Sequence, residues 1–115
     1  MATKFKKRIM IDLDGVLNEY NGKYNPNEIP EIKSGAREFI QKLFTENDYE
    51  LVLFTTRTKE LTVKWLIKND IYRFFTEVTD KKLSAFIYLD DRAIQFNGDF
   101  AKTEEQIKNF KVYWK

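Results

Sequence analysis

Ile9-Met10-Ile11-Asp12-Leu13-Asp14-Gly15-Val16-Leu17 (IMIDLDGVL) is the stretch on which the fold turns: an apolar run that passes directly into two acids one residue apart and then a glycine. From Arg8 to Leu13 the apolar residues follow no strict period of two, the pattern of a strand covered on both faces. Three further runs share this character. They are Tyr49–Thr55 (YELVLFT), Thr76–Thr79, and Ala85–Leu89 (AFIYL), the last entering Asp90-Asp91. Between them lie amphipathic stretches. Ser34 is placed to cap a helix running to Thr45 with Ala36, Phe39, Ile40, Leu43 and Phe44 on one face, and Thr58 to cap a second over Lys59–Lys68 carrying Leu61, Trp65 and Leu66. Strands alternating with helices predict parallel pairing, hence an α/β fold of the Rossmann-like three-layer α/β/α type in a single domain over residues 1–115.

The connecting segments have their own signals. Asn21-Gly22, between β-compatible flanks in Val16–Tyr24, predicts a small hairpin flap after the first strand. Pro26 and Pro30 hold an extended connection. A short helical turn is expected over Ile71–Phe75 and a turn at Asn97-Gly98. The capping-box spacing Thr103-x-x-Gln106 predicts a last helix before Val112-Tyr113-Trp114, an aromatic stretch able to finish the core or seal a homo-oligomer interface.

Composition narrows the chemistry. The 115 residues include 10 Phe, 6 Tyr and 2 Trp, enough for a real core, and neither His nor Cys. A thiol nucleophile, a disulfide frame, a Ser-His-Asp triad and the usual zinc site are excluded, so acid–base work falls to carboxylates, Lys or Tyr. A net charge of +2 commits the chain to no nucleic-acid partner, although one is compatible with it. The basic cluster Lys4, Lys6, Lys7 and Arg8 reads as a solvated flank, with an anionic-ligand or nucleic-acid patch as the alternative. Asp12 interrupts the apolar run after it, so neither a signal peptide nor a membrane span is expected there, and the cytoplasm is the expected compartment.

In folds of this kind ligands gather beyond the carboxyl ends of the strands. The residues there are Asp12, Asp14, Thr55, Thr56, Arg57, Asp90 and Asp91, with Lys81 and Lys82 upstream of the last strand. Four carboxylates at one sheet edge repel one another unless a cation or a raised pKa relieves them. All-oxygen ligation selects a hard ion, and two or three carboxylates suit Mg²⁺. Thr, Arg and Lys donors beside them suit the oxygens of a phosphoryl group. A single Asp at a strand end is commonly a turn former, and Asp48, Asp70 and Asp80 keep that reading. The joint pattern of the other four does not.

The order D-x-D-G, T-x-R, Lys, D-D resembles the motifs of the haloacid-dehalogenase-like superfamily: IMIDLDGVL the first, LVLFTTR (Leu51–Arg57) the second, and DKKLSAFIYLDDRAI (Asp80–Ile94) the third and fourth together. The resemblance implies a Mg²⁺-dependent phosphatase. Asp12 would be the nucleophile, forming an aspartyl-phosphate, and Asp14 the general acid and then base. Thr55 would donate to the phosphoryl group, and Lys82 would pair with Asp12 and the phosphoryl oxygens. Asp12, the backbone carbonyl of Asp14, Asp91, and Asp90 directly or through water would hold the metal. Lys82 is preferred to Lys81 because Lys82-Leu83-Ser84-Ala85 keeps the family's K-P-x-A spacing, with Leu83 in place of Pro. Gly15, Thr56, Arg57 and Arg92 are candidate substrate contacts. Either Arg could instead brace a carboxylate, and Thr56 could be structural. Asn18 and Tyr20 on the flap are further candidates to reach a ligand.

Many relatives insert a cap domain between these motifs. Here 40 residues lie between Asp14 and Thr55 and 26 between Thr55 and Lys82, all used by predicted elements. A further domain needs ~50 or more. The expectation is a capless, open site acting on a phosphorylated substrate such as a sugar phosphate or a polynucleotide end. A receiver-type phosphoacceptor would instead place its acid pair after the first strand and a lone Asp after the third. A phosphate-binding module without turnover is the other alternative.

Overall fold

The computed structural model describes residues 6–46 and 48–115, so Lys4 of the basic cluster lies outside the described residues. Its elements are β1 (Lys7–Asp12), α1 (Ala36–Thr45), β2 (Tyr49–Phe54), α2 (Lys59–Lys68), a 3₁₀ turn (Tyr72–Phe74), β3 (Phe75–Thr79), β4 (Ile87–Leu89) and α3 (Phe100–Lys108). The four strands form an all-parallel sheet in the order β3-β2-β1-β4. This is the expected α/β, Rossmann-like architecture. The chain reverses direction across the sheet between β1 and β4, and folds of this type open a crevice at the strand ends there.

Register decides which side chains share a face. Ile9, Ile11, Leu51 and Leu53 join Ala36 and Ile40 of α1, Trp65 and Leu66 of α2, and Ile71, Phe74, Phe75 and Val78 in one buried cluster. Both α1 and α2 therefore pack on this face. Met10, paired with Val52 and Tyr88, and Asp12, paired with Phe54, lie on the other. Over that second face Leu83 donates its N–H to the Met10 sulfur, 3.2 Å away. The helix beyond β4 does not seal it: α3 contains no buried residue. The radius of gyration, 15.5 Å, exceeds the ~13 Å typical of this length.

Several local expectations are corrected. No hairpin forms around Asn21-Gly22. Instead the flap pairs with the later connection, through the antiparallel bridge Asn18–Ile32 and the bonds Glu19 N to Glu31 O (2.9 Å) and Lys33 N to Leu17 O (2.8 Å). Trp65 secures the connection by donating its indole N–H to the Pro30 carbonyl at 3.0 Å. The N-cap of α1 is Gly35, at φ 89°, and not Ser34. Phe39 and Phe44 on that helix are 43% and 44% exposed, because the narrow sheet receives only the Ala36–Ile40 stripe fully. α3 starts earlier than the Thr103 pattern implied. Asp99 caps it by accepting from Lys102 N at 3.1 Å, and Thr103 bonds back to the Asp99 carbonyl inside the helix. β4 begins at Ile87, two residues later than expected. No helix among the described residues is long and apolar enough to cross a membrane.

Candidate active site

The β1–β4 register builds the site. Because Ile11 pairs with Leu89, the next residues along the two parallel strands, Asp12 and Asp90, are brought side by side, and Asp91 follows. One carboxylate oxygen from each of Asp12, Asp90 and Asp91 can be chosen so that all three lie within 4.8 Å of one another. Asp90 is anchored by accepting the Arg92 backbone N–H at 2.8 Å. Asp91 accepts the Trp114 indole N–H at 2.6 Å.

Crowding acts most strongly on Asp12. Burial, the Asp90 charge, a hydrogen bond with the Asp91 carboxyl group, and then the charges of Asp91 and Asp14 push its pKa from 3.8 up to about 8. Without a cation Asp12 thus holds a proton at neutral pH. These donors fit a hard divalent ion: all are oxygens, they converge, and their mutual repulsion is what such an ion relieves.

Asp14 faces elsewhere. Its carboxylate takes the Arg57 Nε at 2.9 and 3.2 Å and the Asn18 Nδ2 at 3.0 Å, so its side chain is not part of the three-carboxylate group. Asn18, almost fully buried, also accepts the Gly15 N–H at 3.1 Å and so fixes the turn after β1. The sequence placed Asn18 on the flap without a defined role. Its recognisable signal is an amide four residues after the second acid. Of the two roles open to Arg57, substrate contact or carboxylate brace, the structure shows the brace on Asp14. The Arg57 side chain is 1% exposed, and Nη1 donates to the carbonyls of Asn25 and Glu28 at 2.8 and 3.3 Å while the Tyr24 ring covers it. Its Nη2 is the buried side-chain polar atom without a hydrogen-bond partner among the described residues.

Thr55 is buried at the end of β2. Its Oγ1 accepts the Arg57 N–H at 3.2 Å, which leaves its own O–H proton available for donation. Thr56 is exposed. Lys82 lines a cavity of about 820 Å³ together with Met10, Asp12, Phe54, Tyr88 and Asp90, its Nζ 4.6 Å from the Tyr88 ring centroid. Lys81 is absent from that lining, which separates the two lysines. Gly15, at φ 81°, has no room for a side chain: an added Cβ would meet Asp91 Oδ2 at 2.1 Å. Arg92 lies against the Trp114 ring at 5.4 Å. Lys6, Lys7 and Arg8 of the basic cluster are at the opposite end of β1, where Arg8 engages Glu50 at 3.0 Å and the Ser84 carbonyl at 2.9 Å.

No protein-family model and no curated protein matches the chain. Among solved structures it is similar to a conserved protein of Bacteroides thetaiotaomicron, with a TM-score of 0.59 and 24% identity over 95% of each chain. That likeness supports the fold.

Proposed function

We propose that the protein is a capless phosphohydrolase of the haloacid-dehalogenase-like type, cleaving phosphomonoesters in a Mg²⁺-dependent reaction through an aspartyl-phosphate on Asp12. The observation that carries this reading is the convergence of Asp12, Asp90 and Asp91 at the β1–β4 crevice, where Asp12 and Asp90 line a cavity that Lys82 also lines. Asp12, Asp90 and Asp91 would hold the ion, with the Asp14 backbone carbonyl as a further ligand. A bound Mg²⁺ supplies the positive charge that favours ionised Asp12 and offsets charge on the phosphoryl oxygens.

Ionised Asp12 attacks phosphorus as the bond from phosphorus to the leaving oxygen breaks, and Asp14 gives that oxygen its proton. Asp14 then takes a proton from water, whose oxygen attacks the same phosphorus. The bond to Asp12 breaks and inorganic phosphate leaves. Thr55 donates its hydroxyl to a phosphoryl oxygen, and the Lys82 ammonium offsets the repulsion between nucleophile and substrate. Arg57 and Asn18 hold the Asp14 side chain in one orientation, and the ion pair must loosen when Asp14 carries its proton. The cavity is open, which fits substrates with a large leaving group, a sugar phosphate or a polynucleotide end among them. The cytoplasm is the compartment that goes with this reading.

The test is a panel of phosphate esters with and without Mg²⁺. Hydrolysis that needs the metal and disappears in Asp12→Asn is expected, whereas full turnover in excess EDTA overturns the mechanism. Phosphate binding without turnover on any ester would turn the reading to a binding module.

A further inference from the structure

The segment around Trp114 lies far from the motifs in sequence yet contacts the candidate metal group directly. The Trp114 indole N–H donates to Asp91 Oδ2 at 2.6 Å. Its ring rests between two glycines. A Cβ at Gly15 would stand 2.8 Å from the indole nitrogen, and one at Gly22 would stand 3.3 Å from the far edge of the ring. Tyr20 meets it edge-on with centroids 5.2 Å apart, and the neighbouring Tyr113 hydroxyl donates to the Gly15 carbonyl. The ring is therefore wedged from the D-x-D-G turn to the flap, and its one polar atom is directed at a carboxylate of the three-Asp group.

A carboxylate with both oxygens free can grip an ion with one or both. Ca²⁺ accepts the two-oxygen grip and six to eight ligands, whereas Mg²⁺ requires a tight octahedron and takes carboxylates singly. Hydrogen bonds to a ligating carboxylate set which oxygen it presents, and losing one costs about 10–100-fold in metal affinity.

We propose that Trp114 is a positioning residue that commits Asp91 Oδ2 to the indole, so that Asp91 offers a single oxygen and the site selects Mg²⁺ over Ca²⁺. This rests on the metal-dependent reading above and adds to it a determinant of which ion is taken. Trp114→Phe keeps an aromatic ring in the wedge while deleting the N–H donor and shortening the ring's span between Gly15 and Gly22. Tyr113→Phe removes a neighbouring bond that does not touch Asp91.

Calorimetric titration of the substrate-free protein with Mg²⁺ and, separately, with Ca²⁺ tests this, with thermal melts in EDTA to establish that each variant is folded. In Trp114→Phe the Mg²⁺ affinity should fall by about tenfold while Ca²⁺ binding holds or tightens, so that the preference for Mg²⁺ drops by at least that factor. Tyr113→Phe should leave the ratio unchanged. Equal losses for both ions would make Trp114 a structural wedge only and overturn the proposal, as would no change for either. If the wild-type protein binds neither ion, the metal-dependent reading falls and takes this proposal with it. Binding by the wild type with an unmoved ratio in Trp114→Phe defeats the proposal alone.

Discussion

The two faces of the sheet are built to different standards. On one, Ile11, Leu51 and Leu53 of the sheet and Leu66 of α2 are 0–1% exposed where α1 and α2 pack. On the other, Tyr88 is 43% exposed beside a cavity of about 820 Å³, and α3 adds no buried residue. Close packing makes the first face intolerant of lost volume. The second accepts open space and like charges that a packed core would exclude. Stability is concentrated on one side of a single layer, and the proposed chemistry on the other, at the carboxyl end.

The sharpest way to break this contrast is Asp12→Asn, which removes the proposed nucleophile and no core contact. Phosphatase turnover should fall by about a thousandfold or more, with the fold intact by circular dichroism. Leu66→Ala does the reverse. It empties part of the sealed face and should destabilise by about 2–5 kcal/mol in denaturant melts, while activity per folded molecule changes little.

A third experiment follows the proton on Asp12. Folding raises its pKa from 3.8 to about 8, so between those values the folded state binds more protons than the unfolded one. The stabilisation from the protonated group is complete below the unfolded pKa and is lost as pH rises through the folded one. Metal-free protein should therefore lose stability from pH 4 to 8. After allowance for the partial solvent access of the group, the loss is about 2 kcal/mol. Asp12→Asn should flatten that slope, and saturating Mg²⁺ should reduce it in the wild type. An equally steep slope in Asp12→Asn would place the proton elsewhere. The smallest effect belongs to exposed α3: Phe100→Ser should change stability by no more than about 0.5 kcal/mol in the same melts.

The sequence anticipated the strands because their signal is strong: each is a short apolar run entering polar residues, and β2 and α2 match to within a residue. Parallel pairing followed from the alternation with helices. The flap was misread because Asn21-Gly22 is a local turn signal, whereas the pairing that forms joins Asn18 to Ile32, a contact between distant residues that no local propensity encodes. At the site, the acids were legible as strand-end residues, and Lys82 as one of two lysines upstream of the last strand. The direction each would face was not. Asp14 follows Asp12 by two residues, yet it leaves the strand face to meet Arg57, 43 positions later. That partnership, like the Trp114 contact, arises only when distant segments meet.

β4 is only three residues long and lies at the edge of the sheet, but it carries two of the three clustered carboxylates immediately after it. Short edge elements open more readily than the strands inside them. The acid group is thus the first thing lost when the edge frays, well before the protein unfolds. An ion bridging Asp12 to Asp90 and Asp91 would act as a clasp across the seam, and amide exchange in Ile87–Leu89 should slow on its addition while the interior of β2 stays as it was. Edge breathing and site assembly would then be one equilibrium seen from two ends.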